Sequence, residues 1–213
     1  MKNVNMDINK TNPSPLRGAG AEIIIIDYGA GNIQSVKFAL KRLGYDAVLS
    51  HDVKEILAAD KIIFPGVGEA SSAMEKLKAT GLDTVIPKLK QPVLGICLGM
   101  QLMCNSSEER HTEGLGIFNV DVVKFSKLVK VPQIGWNQLT ELKSDLFKNI
   151  REKEYMYLVH SYYAPLCKET IAVTHYEFDY SSALRRDNFY GVQFHPEKSS
   201  KAGEQLLLNF LNM

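Results

Sequence analysis

The chain has 213 residues, 45% hydrophobic and 23% charged, with a net charge of +1. That is ordinary globular usage, with length enough for one large domain and its own core. The balanced charge, with no long basic run, disfavours nucleic acid and anionic membrane surfaces as partners.

Met1 to Ala21 has no apolar core and carries Asn, Asp, Lys and two prolines. It reads as a disordered leader, neither signal peptide nor membrane anchor, with the folded domain expected over residues 22–213. Glu22-Ile23-Ile24-Ile25-Ile26-Asp27 is a continuous β-branched run, as in a strand buried on both faces. Tyr28-Gly29-Ala30-Gly31-Asn32 follows as a loop. Ile33, Val36, Ala39, Leu40 and Leu43 then recur at helical spacing, and Gly44 ends the helix. A dinucleotide-binding reading of this start is disfavoured, because Gln34 stands where the third glycine of that fingerprint belongs.

Tyr45 to Ser50 is a second strand and Val53 to Ala58 a short helix. Lys61-Ile62-Ile63-Phe64 is a third strand, leading into Pro65-Gly66-Val67-Gly68. That glycine loop can turn the chain or present a backbone N–H to an anion. Helices are expected over roughly Glu69 to Lys78 and Leu82 to Leu89. Val93 to Ile96 is the next strand, and Leu98 to Cys104 has helical composition. This alternation predicts an α/β fold, a central, mainly parallel (mixed) sheet flanked by helices. Ligands of such sheets sit beyond the carboxyl ends of the strands, where Tyr28-Gly29, Pro65–Gly68 and Cys97 should converge.

Past Gly114 the pattern changes to strands with few helices between them. These are Ile117 to Phe125, Tyr155 to His160, Thr170 to Phe178, Ser182 to Arg186 and Phe189 to Phe194, and they predict a small antiparallel extension. Lys130 to Asn137 reads as a loop carrying the single tryptophan, Trp136. The last helix is expected from about Ser200 to Leu211.

Cys97 lies at the turn of Gly95-Ile96-Cys97-Leu98-Gly99, between a strand and a helix. This is the cysteine form of a nucleophile elbow. Flanking glycines allow the tight turn, and the helix start favours thiolate and aims N–H groups at an incoming oxygen. The bland alternative is a buried cysteine at a strand end. The other cysteines, Cys104 and Cys167, make the count odd, which fits a reducing, cytoplasmic setting better than a disulfide framework. No Cys or His spacing points to a metal, and none is expected.

A free thiol titrates at roughly 8.5, so a cysteine nucleophile needs a base. Of five histidines, His195 stands out: it ends the strand Tyr190-Gly191-Val192-Gln193-Phe194 and continues into Pro196-Glu197. In extended backbone His195 and Glu197 project to the same side, as a base and its orienting acid do. The alternative is a surface His-Pro-Glu turn.

Gly95-Ile96-Cys97-Leu98-Gly99-Met100-Gln101 together with Gln193-Phe194-His195-Pro196-Glu197 resembles the class I, triad-type glutamine amidotransferases. Tyr28–Asn32, Pro65–Gly68, Gly135-Trp136-Asn137, His160-Ser161-Tyr162 and Phe194–Ser200 are similar, in order, to the glutaminase subunits of imidazole glycerol phosphate synthase. The resemblance implies a Cys97–His195–Glu197 triad, an oxyanion site at the Val67 and Leu98 N–H groups, and no cofactor. It places glutamine near Gly68, Gln101, Glu109, Ser161 and Tyr162. It implies a HisF-like (β/α)8-barrel cyclase as partner, faced by Asn32, Trp136, Tyr157 and Lys198. The usual Pro-His-x-Gly-Trp-Asn of that family reads Pro132-Gln133-Ile134-Gly135-Trp136-Asn137 here. Rival readings are a paralogue feeding ammonia to another acceptor, such as a sugar-nucleotide pathway, a non-catalytic scaffolding subunit, and a cysteine peptidase. An esterase of the α/β-hydrolase type is disfavoured because its acid precedes its histidine.

Overall fold

The computed structural model describes residues 21–29, 32–126 and 129–213. Nearly all of the expected leader, and Ala30 and Gly31, lie outside the described residues. In the first half strands and helices alternate. They are β1 (Ile23–Ile26), α1 (Ile33–Arg42), β2 (Ala47–Ser50), α2 (Val53–Ala58), β3 (Lys61–Gly66), α3 (Ala70–Thr80), α4 (Leu82–Val85), β4 (Val93–Cys97) and α5 (Leu98–Leu102). The second half contains β5 (Ser106–Ser107), β6 (Thr112–Glu113), β7 (Asp121–Lys124), β8 (Gln133–Gln138), β9 (Tyr155–His160) and β10 (Tyr162–Tyr163). It ends with β11 (Thr170–Tyr176), β12 (Phe178–Arg186), β13 (Phe189–Val192) and α6 (Ser200–Leu211).

The main sheet has seven strands in the order β11-β12-β13-β4-β3-β1-β2. From β13 to β2 neighbours run parallel, whereas β12 pairs antiparallel with both β11 and β13. The β1 isoleucines show why the sheet has two covered faces. Ile23 and Ile25 join one apolar cluster with Leu40, Leu206 and Phe210. Ile24 and Ile26 join the other with Ile56, Met74 and Leu77. The period-two alternation of a strand sends successive side chains into opposite layers, so a strand buried on both faces has no polar side. Smaller sheets, β10-β7-β5-β6 and β8-β9, complete the mixed architecture. Among the described residues no helix is long and apolar enough to cross a membrane.

Several expected boundaries move for local reasons. The helix expected over Leu82 to Leu89 ends at Val85 and passes into a 3-10 turn, Ile86–Lys88, where Pro87 supplies no N–H. The helix expected to reach Cys104 ends at Leu102, and its last turn tightens as Met103 and Cys104 bond the carbonyls three residues back. The strand expected from Ile117 starts only at Asp121, because the Ile117 and Phe118 N–H groups both bond the Met103 carbonyl. The strand expected over Thr170 to Phe178 turns at Glu177, whose φ is +68°, so β12 begins at Phe178 instead of Ser182. The strand expected to reach Phe194 ends at Val192.

The largest correction concerns the loop expected over Lys130 to Asn137. From Gln133 onward it is β8, paired antiparallel with β9 so that Trp136 lies opposite Tyr157 and Ile134 opposite Val159. Pro132 and Gly135 look like turn signals in sequence. Pro132 in fact precedes the strand, and Gly135, at φ +145°, is extended in a way few other residues allow.

Candidate active site

The sheet is built so that its central strands end at one place. β3 and β4 pair in register through Gly66 and Cys97. From the loop after β1, the buried Tyr28 hydroxyl donates to the Pro65 carbonyl at 3.0 Å. The β1, β3 and β4 carboxyl ends therefore converge as the alternation predicted.

Cys97 sits at φ +54° and ψ −112°, between β4 and α5. A non-glycine residue there is strained by about 1–3 kcal/mol, which the surrounding packing must hold in place. Two glycines do so by letting backbones touch. A Cβ on Gly99 would lie 2.0 Å from the Phe64 carbonyl oxygen, and one on Gly66 would lie 2.5 Å from the Gly99 nitrogen. The elbow thus presses directly against β3, and the sulfur is aimed at the cavity.

His195 follows β13, the neighbour of β4 on the other side. Its backbone is stitched to β9. The His195 N–H donates to the Tyr157 carbonyl at 2.9 Å, and Ser199 Oγ donates to the His195 carbonyl while accepting from the Tyr157 N–H. On the ring, Nδ1 lies 2.9 Å from Glu197 Oε1, with both side chains buried. Burial pulls the imidazole's pKa down, but hydrogen bonds and charge from Cys97 and Glu197 outweigh it and push it up to about 10. A sulfur on one side and a carboxylate on the other make the imidazolium the favoured form.

A cavity of about 300 Å³ opens in front of these groups. It is lined by Cys97, His195, Val67, Leu98, Gly68, Gln101, Glu109, Ser161, Tyr162 and Lys198, with Glu197 behind His195. Gly68 takes φ +93°, so the loop after β3 turns where a side chain would be strained. Glu109 faces the cavity with Oε2 accepting from the Ala70 N–H at 2.8 Å, at the start of α3. Asn32 lies apart from the cavity, bordering a small hollow with Val67 and Glu197. Trp136 and Tyr157 stand edge to face at 6.0 Å on the β8–β9 hairpin, and Lys198 lies 5.9 Å from the Tyr157 ring. Trp136 is half exposed, as are Ile134 and Tyr155 beside it.

The cavity also includes Val159 and His160, which sequence reasoning did not assign to the site. The Val159 carbonyl lies 3.9 Å from the Cys97 sulfur. His160 is buried, which holds its pKa down at about 4 despite a hydrogen bond to the Tyr162 carbonyl. Its ring is therefore neutral near pH 7. Period-two alternation along β9 from Tyr157 is the sequence signal that marks Val159; His160 had none beyond its place in a motif.

The family model for class I glutamine amidotransferases matches residues 24–213, and the chain belongs to that family. Among curated relatives, the imidazole glycerol phosphate synthase subunit HisH of Bacteroides fragilis is 54% identical over 195 residues, covering 90% of this chain and all of that protein. HisH of Bacteroides thetaiotaomicron is 53% identical, and that of Yersinia pestis 46%, each with the same coverage. Solved structures share the fold at much lower identity. A structure described as a glutamine amidotransferase has a TM-score of 0.71 at 17% identity, covering 91% of this chain and 98% of that one. The structure of PurLQS from Thermotoga maritima has a TM-score of 0.67 at 16% identity, covering 90% and 97%.

Proposed function

We propose that this chain is the glutaminase subunit of an imidazole glycerol phosphate synthase. In the cytoplasm it hydrolyses glutamine to glutamate and ammonia and passes the ammonia to a HisF-like (β/α)8-barrel cyclase. The observation that carries the chemistry is Cys97 held at positive φ on the elbow, with His195 beside it and Glu197 on the far ring nitrogen. The HisH names of relatives matched along their whole length support the choice of pathway.

The Cys97 thiolate attacks the side-chain amide carbon of glutamine. The Leu98 and Val67 N–H groups receive the oxyanion, and losing one such donor typically costs about 10²–10³ in rate. His195 gives its proton to the departing ammonia, leaving a thioester on Cys97. The neutral imidazole then takes a proton from water, which attacks the thioester carbon. Collapse releases glutamate and restores the thiolate–imidazolium pair. Glu197 keeps the ring oriented throughout. The Glu109 carboxylate pairs with the α-ammonium of glutamine, and Gly68, Gln101, Ser161 and Tyr162 complete the substrate's surroundings.

The half-exposed Ile134, Trp136 and Tyr155 support docking of the cyclase on the β8–β9 face, beside the cavity. The test is steady-state glutaminase kinetics of the chain alone, with the cyclase, and with the cyclase plus its ribonucleotide. Val67, which carries one oxyanion donor, stands between the end of β3 and Gly68 at φ +93°, where a peptide flip can remove that donor, so the full complex is expected to run about 10²–10³ times faster than the isolated chain. Equal rates in all three conditions would eliminate gating by the partner, and no hydrolysis in any of them would overturn the functional reading.

A further inference from the structure

Gln193 has no part in the mechanism above. It is fully buried just past β13. Val192 pairs with Ile96 across the parallel β13–β4 neighbours, so Gln193 comes level with Cys97. Gln193 lies in the bend that leads from β13 to His195. The Gln193 Nε2 lies 3.8 Å from Cys97 Sγ, and its Oε1 accepts from Gln101 Nε2 at 2.8 Å.

The orientation of both amides follows from one carbonyl. The Tyr162 carbonyl oxygen can only accept, and the Gln101 side chain meets it at 2.9 Å, so the Gln101 atom there is its NH₂ group. The same nitrogen faces Gln193, which must present its oxygen to it and turn its own NH₂ towards the sulfur. His160 Nδ1 also reaches the Tyr162 carbonyl, at 2.8 Å, and as a neutral ring it carries its proton on that nitrogen. The carbonyl thus receives two donors. Both N–H bonds of Gln101 are spent inside the wall, which leaves its Oε1 as the atom free to meet glutamine.

We propose that Gln193 is a further catalytic residue, whose side-chain N–H stabilises the Cys97 thiolate, and that Gln101 is the positioning residue that keeps this N–H aimed at the sulfur. A donor fixed in a buried site meets an anion without reorganising, and hydrogen bonds to charged groups are the stronger kind. The sulfur is anionic twice in the cycle, before attack on the amide and again when water expels it from the thioester. Gln193 favours both states, from the side of the sulfur that lies outside the cavity lining.

The turnover part of this proposal rests on the glutaminase reading, whereas the thiol part does not. The experiment is alkylation of Cys97 by iodoacetamide as a function of pH on the full chain, followed by mass spectrometry of the Cys97 peptide, together with glutamine kinetics in the cyclase complex. Gln193→Met keeps the length of the side chain and removes the donor. The midpoint of the alkylation profile is expected to move up by about one pH unit. Glutamine turnover at pH 7 is expected to fall about tenfold in kcat, with KM changed less than twofold. Gln101→Met frees the Gln193 amide to rotate and should move the midpoint in the same direction. An unchanged midpoint in a natively folded Gln193→Met chain overturns the proposal. Should that variant fail to fold, an unchanged midpoint in Gln101→Met overturns it instead. A native chain without glutaminase activity whose alkylation midpoint still depends on Gln193 would sink the functional reading and leave this inference standing.

Discussion

Replacing Glu197 by glutamine removes one charge from the centre of the site and almost nothing else. Glu197 Oε1 lies 2.9 Å from His195 Nδ1, and both side chains are at most 3% exposed, so solvent cannot replace the lost interaction. Glu197 Oε2 has no hydrogen-bond partner among the described residues. The amide of Glu197→Gln can still accept from Nδ1 through its oxygen, but its NH₂ takes up that unpartnered position. What disappears is the charged part of the bond. Hydrogen bonds to charged groups contribute about 1.5–3 kcal/mol and neutral ones about 1 kcal/mol, so the loss is about 0.5–2 kcal/mol. At 1.4 kcal/mol per tenfold, kcat should fall by roughly 2–30-fold. Glu197 does not line the substrate cavity, so KM for glutamine should stay within about twofold. The assay is steady-state glutamine hydrolysis in the cyclase complex. His195→Ala, which removes the base itself, should cost nearly as much as loss of the cysteine. The double variant should be no worse than His195→Ala alone, because the two residues act through one ring. An unchanged kcat in Glu197→Gln, or a raised KM with kcat intact, refutes this reasoning.

Gly99→Ala would place a Cβ 2.0 Å from the Phe64 carbonyl oxygen, a backbone clash that no rotamer relieves. Denaturant unfolding should show a loss of about 1–3 kcal/mol, and the displaced elbow should lower kcat by about 10²-fold. His160 titrates at about 4 in the folded chain because burial disfavours its charge, against about 6.5 when unfolded. Between these values the unfolded state binds more protons, so stability falls as pH drops from about 6.5 towards 4. Unfolding free energies at pH 7 and 4.5 should show that wild type loses about 2–3 kcal/mol more over this interval than His160→Gln.

What could be read from the sequence was whatever depended on neighbours along the chain. The β1 isoleucine run required two buried faces, and the sheet supplies them. The glycines around Cys97 required a tight turn, and φ +54° is that turn. The spacing of His195 and Glu197 was read as extended backbone, but Pro196–Lys198 is a 3-10 turn, and it is this turn that leaves the two side chains bonded. Contacts made between distant segments were not legible. Gln133–Gln138 is a strand only because β9 lies against it, while its proline and glycine argued for a loop. The Gln101–Gln193 pair joins residues 92 apart, and nothing in either local pattern announces it. Glu109 was readable as an acid in a polar run, but its place in the cavity depends on the distant Ala70 N–H.

The central claim is that Cys97 is the nucleophile in glutamine hydrolysis. It is tested most directly by measuring glutamate formation in the cyclase complex with its ribonucleotide bound, for Cys97→Ala against Cys104→Ala and Cys167→Ala. Cys104 is buried against the Met100 carbonyl and Cys167 sits beside Thr170, both outside the cavity lining. Turnover should fall to background in Cys97→Ala and stay within about twofold of wild type in the other two. Undiminished turnover in a folded Cys97→Ala complex would contradict the account.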